Sequence, residues 1–65
     1  MFATGDKAQV DTGWGGVVLV TLGPQLNPDE AKEIGGDGFW VTYETGIREG
    51  TTGRHRFHEL KAVSS

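Results

Sequence analysis

The chain has 65 residues, no cysteine and a formal net charge of −3 at pH 7. This length suits one domain, residues 1–65, with a small core. The absence of cysteine excludes disulfides and thiolate metal sites, and no apolar run approaches the roughly 18 residues that a membrane-spanning helix needs. The N-terminus shows no secretion-signal pattern. We therefore expect a cytoplasmic domain that does not enter a membrane.

The charges are unevenly distributed along the chain. Residues 1–44 carry seven acidic and two basic side chains, a net charge of −5, whereas residues 45–65 carry two acidic and four basic side chains, a net charge of +2. An acidic protein repels phosphate backbones at long range. The overall balance therefore argues against nucleic acid, although a local basic strip is present.

The first predicted elements are two strands separated by a glycine-rich loop. Lys7–Val10 alternates polar and apolar residues, and Gly16–Leu22 is the least polar segment. We expect Val18, Val20 and Leu22 to point inward and Gly23-Pro24 to end the second strand.

A short helical insertion is predicted next, over residues 27–35. Asn27 is a favourable N-cap, Pro28 occupies the first helical position, and Glu30 is placed to complete a capping box. The glycines at 35 and 36 stop the helix. A helix of two turns is unstable alone, so we expect Leu26 and Ile34 to anchor it to the sheet.

The clearest strand is 38–44, with the sequence GFWVTYE, because aromatic and β-branched residues fill it. Alternation assigns Phe39, Val41 and Tyr43 to the core face and Trp40 to the opposite face. The segment 45–53 is compatible with a loop or with a hairpin that turns at Glu49-Gly50. The remaining predicted elements are a strand Arg54–Phe57, a helical turn His58–Leu60 and a short strand Lys61–Val63.

This pattern resembles an SH3-like small barrel, which implies a mainly β, five-stranded fold with the helix inserted between strands two and three. Gly5-Asp6 and Gly16-Val17-Val18 are similar to the KOW-type barrels of ribosomal and transcription proteins. The basic, glycine-containing centre of the KOW loop is replaced here by Asp11 and Trp14.

A second resemblance is to the plasmid-borne, trimethoprim-resistant dihydrofolate reductase barrel. Gly5, Asp6, Gly13, Trp14 and Gly16 look like the early part of that family, as do GFWVTYE and the closing FHELKAV. The family's Val-Gln-Ile-Tyr signature lines a pore between four subunits. Here the corresponding stretch is 54–57, RHRF, and none of its residues matches, so reductase activity does not carry over.

Two tryptophans are candidate contact residues. Trp14 lies on a glycine-rich loop, where it would either contact a ligand or fold over the open end of the barrel as a lid. Trp40 would either form part of a binding surface or pack under the inserted helix against Leu26 or Ile34. Surface aromatics are common at binding hot spots, whereas a small core needs its large side chains.

The basic cluster around 54–58 is the other candidate surface. Arg54 and Arg56 share one face of their strand, and they would either bind carboxylates or phosphates or form ion pairs with Glu44 or Glu59. An arginine could also stack on Trp40. His55 and His58 do not have a recognised metal spacing.

No catalytic constellation is visible in the sequence, and we expect neither a cofactor nor a metal. Our first hypothesis is a non-enzymatic protein-binding module, an adaptor or an inhibitor of the kind carried by phages and mobile elements. It would use a surface of Trp14, Trp40, Arg48, Arg54 and Arg56. The alternatives are a KOW-like nucleic-acid-binding barrel and a reductase-like homotetramer, and self-association is left open.

Overall fold

The structure, a computed structural model, describes residues 2–13 and 16–63. They form one antiparallel five-stranded sheet with a single short helix and a 3₁₀ turn between the last two strands. The strand order is β4-β3-β2-β1-β5, so that β4 and β5 are the two edges. The elements are β1 Lys7–Asp11, β2 Val17–Gln25, α1 Pro28–Ile34, β3 Gly38–Tyr43, β4 Thr52–Arg56, the 3₁₀ turn Phe57–Glu59 and β5 Leu60–Ala62.

The sheet is strongly curled because its two edges are joined by a very short link. Only Phe57–Glu59 separates the end of β4 from the start of β5. Four strand spacings would hold the edges of a flat sheet about 19 Å apart, whereas a 3₁₀ link from Arg56 to Leu60 spans about 8 Å. The sheet therefore bends over its own core, within overall dimensions of 28 × 24 × 18 Å.

The inward faces of β2 and β3 are those predicted from alternation. Strand β2 buries Val18, Val20 and Leu22, and β3 buries its own alternate apolar residues. Strands β1 and β5 complete the cluster with small and medium side chains. The core consists of Ala8, Val10, Val18, Val20, Leu22, Phe39, Val41, Tyr43 and Leu60.

Strand β2 is longer than the sequence predicted. Gly23-Pro24 does not end it, and the strand continues to Gln25 across a register shift against β3 that falls between Leu22 and Gln25. Proline lacks the N–H that a regular ladder requires, and an irregularity of this kind is where a sheet tolerates it. The prediction that the strand ends at Leu22 is therefore wrong by three residues.

Helix α1 is built as its sequence predicts. The Asn27 side chain accepts from the Glu30 amide at 2.8 Å, and the Glu30 carboxylate accepts from the Asn27 amide at 3.0 Å, which completes the capping box. Gly35 ends the helix with a positive φ of 83°. Leu26 and Ala31 are buried, while Ile34 is only half-buried.

The close pairing of β3 with β4 explains why β3 begins with a glycine, Gly38. Gly38 pairs with Arg56 and is buried. A Cβ at this position would collide with the carbonyl group of His55 on β4. Only glycine allows the two strands to approach here.

The coarse fold prediction is confirmed, and the closed barrel is not. The described residues make a mainly β protein with five strands and one short helix, but β4 and β5 do not pair and the sheet is not closed. The fourth strand begins at Thr52, two residues before the predicted start, because 45–53 partly joins it. The predicted helical turn at His58–Leu60 begins one residue earlier, at Phe57.

Substitutions on the two faces of β2 test this packing. Val20→Asp should unfold the domain, because Val20 is 0% exposed and an unpaired buried charge costs several kcal/mol, comparable with the whole stability of a small domain. Val17→Asp is the matched control, since Val17 on the same strand is 59% exposed. Thermal unfolding followed by circular dichroism distinguishes them, and a folded Val20→Asp variant would contradict the inward orientation of that side chain.

Candidate functional site

Three of the five sequence-predicted contact residues lie on the outer face of β3 and β4. Trp40 pairs with Arg54, and Gly38 pairs with Arg56, which places both arginines on the same side of the sheet as the indole. The Arg54 guanidinium carbon is 5.4 Å from the centre of the Trp40 ring. This distance is within the range of a cation–π contact, as the sequence suggested.

Helix α1 covers part of this outer face through its glutamates. The Trp40 indole N–H donates to the Glu30 carboxylate at 2.7 Å, and Arg54 forms an ion pair with Glu33 at 2.8 Å. Trp40 is half-buried, so it is neither fully under the helix nor fully free. The predicted ion pair of Arg54 with Glu44 or Glu59 is wrong, because the partner is Glu33 and Glu44 contacts Lys7 and Thr21 instead.

The other predicted residues differ in their positions. Arg56 forms an ion pair with Glu59 at 3.6 Å, as predicted, and its side chain runs beside Gly35 and Gly36 at the end of α1. Arg48 is exposed in the segment between β3 and β4. Trp14 lies outside the described residues, so its predicted role remains a prediction.

A chain of three polar side chains links β3, β4 and the 3₁₀ turn. The Tyr43 hydroxyl is 2.7 Å from His55 Nε2, and His55 Nδ1 is 3.3 Å from Glu59 Oε1. A carboxylate only accepts hydrogen bonds, so His55 Nδ1 donates to Glu59; in the tautomer with one ring proton, Nε2 then accepts from the phenol. Gly53 leaves room for this phenol, because a Cβ there would be 2.6 Å from the Tyr43 hydroxyl.

The surroundings of Tyr43 and Glu59 shift the pKa of both side chains. Burial raises the pKa of the Tyr43 phenol, with the Arg48 charge opposing and the Glu59 charge reinforcing that effect. Burial also acts to raise the pKa of Glu59, but hydrogen bonds from the Arg56 amide and from His55, with the charges of both residues, outweigh it. The Glu59 pKa therefore lies below its ordinary value of 4.5. The hydrogen bonds of Tyr43, His55 and Glu59 connect β3, β4 and the 3₁₀ turn. We therefore interpret these three side chains as stabilising the fold.

An aromatic cleft lies at one end of the curled sheet. It has a volume of about 510 Å³ and is lined by Phe2, Gln25, Phe39 and Phe57. Gln25 ends β2, Phe39 is near the start of β3, and Phe57 directly follows β4, so antiparallel pairing brings all three to the same end. Phe2 packs against the core from the N-terminal segment. We call this feature the aromatic cleft.

The walls of the aromatic cleft differ in exposure. Phe39 is only 4% exposed and forms the floor, whereas Phe57 is 42% exposed. Their ring centres are 5.4 Å apart with a tilt of 53°, an ordinary geometry for an aromatic pair. Gln25, the only polar residue in the lining, is exposed and can donate and accept hydrogen bonds. The cleft is therefore suited to an apolar group with one hydrogen-bonding edge.

The sequence did not reveal this cleft. The predicted second strand ends before Gln25. The proximity of Phe57 to Phe39 depends on the β3–β4 register, which alternation leaves undetermined. No sequence pattern joins the three phenylalanines, because Phe39 and Phe57 lie in different predicted strands and Phe2 precedes the first strand.

Two further classes of site were sought in the described part of the chain. Within residues 2–13 and 16–63, no group of three or more His, Asp or Glu side chains is arranged to hold a metal ion. In the same ranges, no helix is long and apolar enough to cross a membrane.

Comparison of the chain with protein-family models, with curated proteins and with solved structures finds no match. The aromatic cleft and the outer face therefore have to be interpreted from their own geometry and chemistry.

The lowered pKa of Glu59 predicts a specific acid response. A carboxylate whose pKa is depressed on folding stabilises the protein above its unfolded value, and this contribution is lost as the pH falls through the folded value. Unfolding free energy, measured by urea denaturation, should therefore decrease below about pH 4.5. Glu59→Gln keeps an acceptor for the Arg56 amide and should show a smaller decrease over this range. Parallel decreases in the two proteins would contradict the assignment.

Proposed function

We propose that the protein is a small non-enzymatic binding module, an adaptor or an inhibitor, whose aromatic cleft accepts an apolar side chain of another protein. The observation that carries this proposal is the position of Phe57. It is 42% exposed and forms the wall of a cleft of about 510 Å³ whose other apolar walls are also phenyl rings. Concave, mostly apolar sites with a single polar group are typical binding sites.

The physical argument concerns what a chain of this size does with its aromatic residues. A small domain has a marginal core and gains about 1.5–3 kcal/mol from burying one large apolar side chain. Phe57 gives up part of that stabilisation by remaining at the surface beside the buried Phe39. A partner that covers the ring would recover it, which is the usual energetic basis of an interface hot spot.

A protein partner is favoured over nucleic acid by the surroundings of the arginines. Arg54 is paired with Glu33, and Arg56 is paired with Glu59. Phosphate contacts require arginines that are free to replace condensed counterions. Among the residues that the structure describes, none of those lining the aromatic cleft is basic, and the chain as a whole carries a net charge of −3.

The outer face forms a second part of this proposal. Trp40, Arg54 and Arg56 lie together there, and tryptophan and arginine are the residue types most enriched at hot spots. A partner would meet the half-buried indole between the glutamates of α1 and the two arginines. The roles of Arg48 and Trp14, and a cytoplasmic location, are also kept as predictions.

The arrangement of the strands supports an SH3-like small barrel as the finer fold. The two edge strands are joined by a single 3₁₀ turn, and the helix is inserted between β2 and β3. This order matches the resemblance described from the sequence, and the open edge between β4 and β5 is the departure from a closed barrel. We regard the aromatic cleft as the open mouth of such a curled sheet.

Affinity capture tests the proposed function. Tagged protein is used to capture partners from a lysate of the source cells, with and without nuclease, and the captured proteins are identified by mass spectrometry. We expect one stoichiometric partner that survives nuclease and that is lost with Phe57→Ser, because this change removes an apolar wall of the cleft.

Val17→Ser is the matched control, since it also removes an exposed apolar side chain, 59% exposed, but far from the cleft lining. It should leave the capture unchanged. A partner that disappears with nuclease would favour the nucleic-acid hypothesis. Equal capture by wild type and Phe57→Ser would contradict a role for the aromatic cleft.

A further inference from the structure

The two outer walls of the aromatic cleft are each accompanied by a carboxylate. The Phe57 amide donates to the backbone carbonyl of Asp37 at 3.0 Å, so these two residues are neighbours. On the other wall, Asp6 Oδ2 accepts from the amide of Ala3, the residue after Phe2, at 2.9 Å. Both aspartates are exposed. Two exposed acidic residues, Asp6 and Asp37, therefore lie close to the walls of the cleft, and we call them its rim.

The charges of the other residues do not neutralise the two aspartates of the rim. Lys7, which follows Asp6, forms an ion pair with Glu44 at 3.4 Å, and Arg56, which precedes Phe57, forms one with Glu59 at 3.6 Å. His58 is exposed beside Phe57. Residues 1–44, which supply Phe2, Gln25 and Phe39, carry seven acidic and two basic side chains, a net charge of −5. A cationic group would be attracted towards the cleft.

Gln25 is the polar residue among the described residues of the lining, and its side chain indicates which kind of molecule carries the bound apolar group. Gln25 carries an amide that both donates and accepts, which is the pattern needed to pair with a peptide unit. The phenyl walls leave about 510 Å³, enough for a large aliphatic or aromatic side chain. A polypeptide can present an apolar side chain, a peptide unit and a neighbouring cation at once.

We propose that the aromatic cleft binds a partner segment in which a leucine or an aromatic residue is flanked by lysine or arginine. The apolar side chain enters between Phe2 and Phe57, the adjoining peptide unit meets Gln25, and the cation lies near Asp6 or Asp37. This inference rests on the proposed protein-binding function and names the chemistry of the partner.

Two synthetic peptides test the charge preference. Both are capped hexapeptides with Leu-Phe at the centre, flanked on each side by two lysines in one and by two glutamates in the other. They are titrated into ¹⁵N-labelled protein at pH 7.5 and low ionic strength. We expect amide shifts around the cleft and binding of the lysine peptide about tenfold tighter, since exposed ion pairs with the two aspartates each contribute modestly. The difference should shrink at high salt.

Variants of the protein separate the contributions of the walls and the rim. Phe57→Ser should weaken the lysine peptide about tenfold, whereas Val17→Ser should not. A double variant, Asp6→Asn with Asp37→Asn, should still bind both peptides at the cleft but lose the preference between them. Asparagine at position 6 keeps an acceptor for the Ala3 amide, and the amide spectrum of each variant reports directly that it is folded.

The outcomes distinguish this inference from the proposed function. Equal binding of the two peptides, preference for the glutamate peptide, or no binding of either at millimolar concentration would overturn the cationic preference. If capture from lysate nevertheless depended on Phe57, the protein-binding function would stand. Binding of the lysine peptide that is not weakened by Phe57→Ser would instead overturn the aromatic cleft as the binding site.

Discussion

The two edge strands of the sheet, β4 and β5, are joined by only three residues, Phe57–Glu59. A flat sheet would need its edges about 19 Å apart, so this short link forces the sheet to curl over one face. That face becomes the core, which explains why β2 and β3 alternate so regularly between buried and exposed residues. Glu59 holds the link in place, because its carboxylate accepts from the Arg56 amide at 2.9 Å and meets the ring of His55.

The curl leaves two surfaces with different character. The outer face of β3 and β4 is largely satisfied within the molecule, since the Trp40 indole and the Arg54 guanidinium each meet a glutamate of α1. The end of the sheet differs, because an apolar side chain there remains partly exposed to solvent. There Phe57 stays 42% exposed beside the buried Phe39. A surface whose polar groups are already paired gains less from a partner than an exposed apolar side chain does, so the outer face is the secondary part of the proposed interface. This contrast is why we assign the main binding role to the aromatic cleft.

The local elements were predictable from the sequence, and the relation between them was not. Capping residues predicted the helix, because the interactions of Asn27 and Glu30 are separated by three residues. Alternation predicted the core faces of β2 and β3 for the same local reason. The extension of β2 through Pro24 was missed, since a register shift depends on the partner strand. The cleft was missed because it joins Phe2, Phe39 and Phe57, which only pairing between distant strands brings together.

The structure places three residues of the candidate surface, Trp40, Arg54 and Arg56, on one face of the sheet. Alternation correctly placed Arg54 and Arg56 on one face, and Trp40 lies there too. The residues that neutralise them were only partly foreseen, because Glu33 reaches Arg54 from a helix whose position over the sheet is a tertiary property. Charge counts along the chain thus suggested a basic strip that the folded protein pairs with its own acids.

Site-specific photo-crosslinking tests the central claim most directly. A benzophenone amino acid is placed at position 57 in one protein and at position 17 in another, and both are irradiated in the source cells. Our account predicts a single prominent protein adduct from position 57 and none of the same mass from position 17. Absence of an adduct at position 57, or the same adducts from both positions, would contradict a protein-binding role for the aromatic cleft.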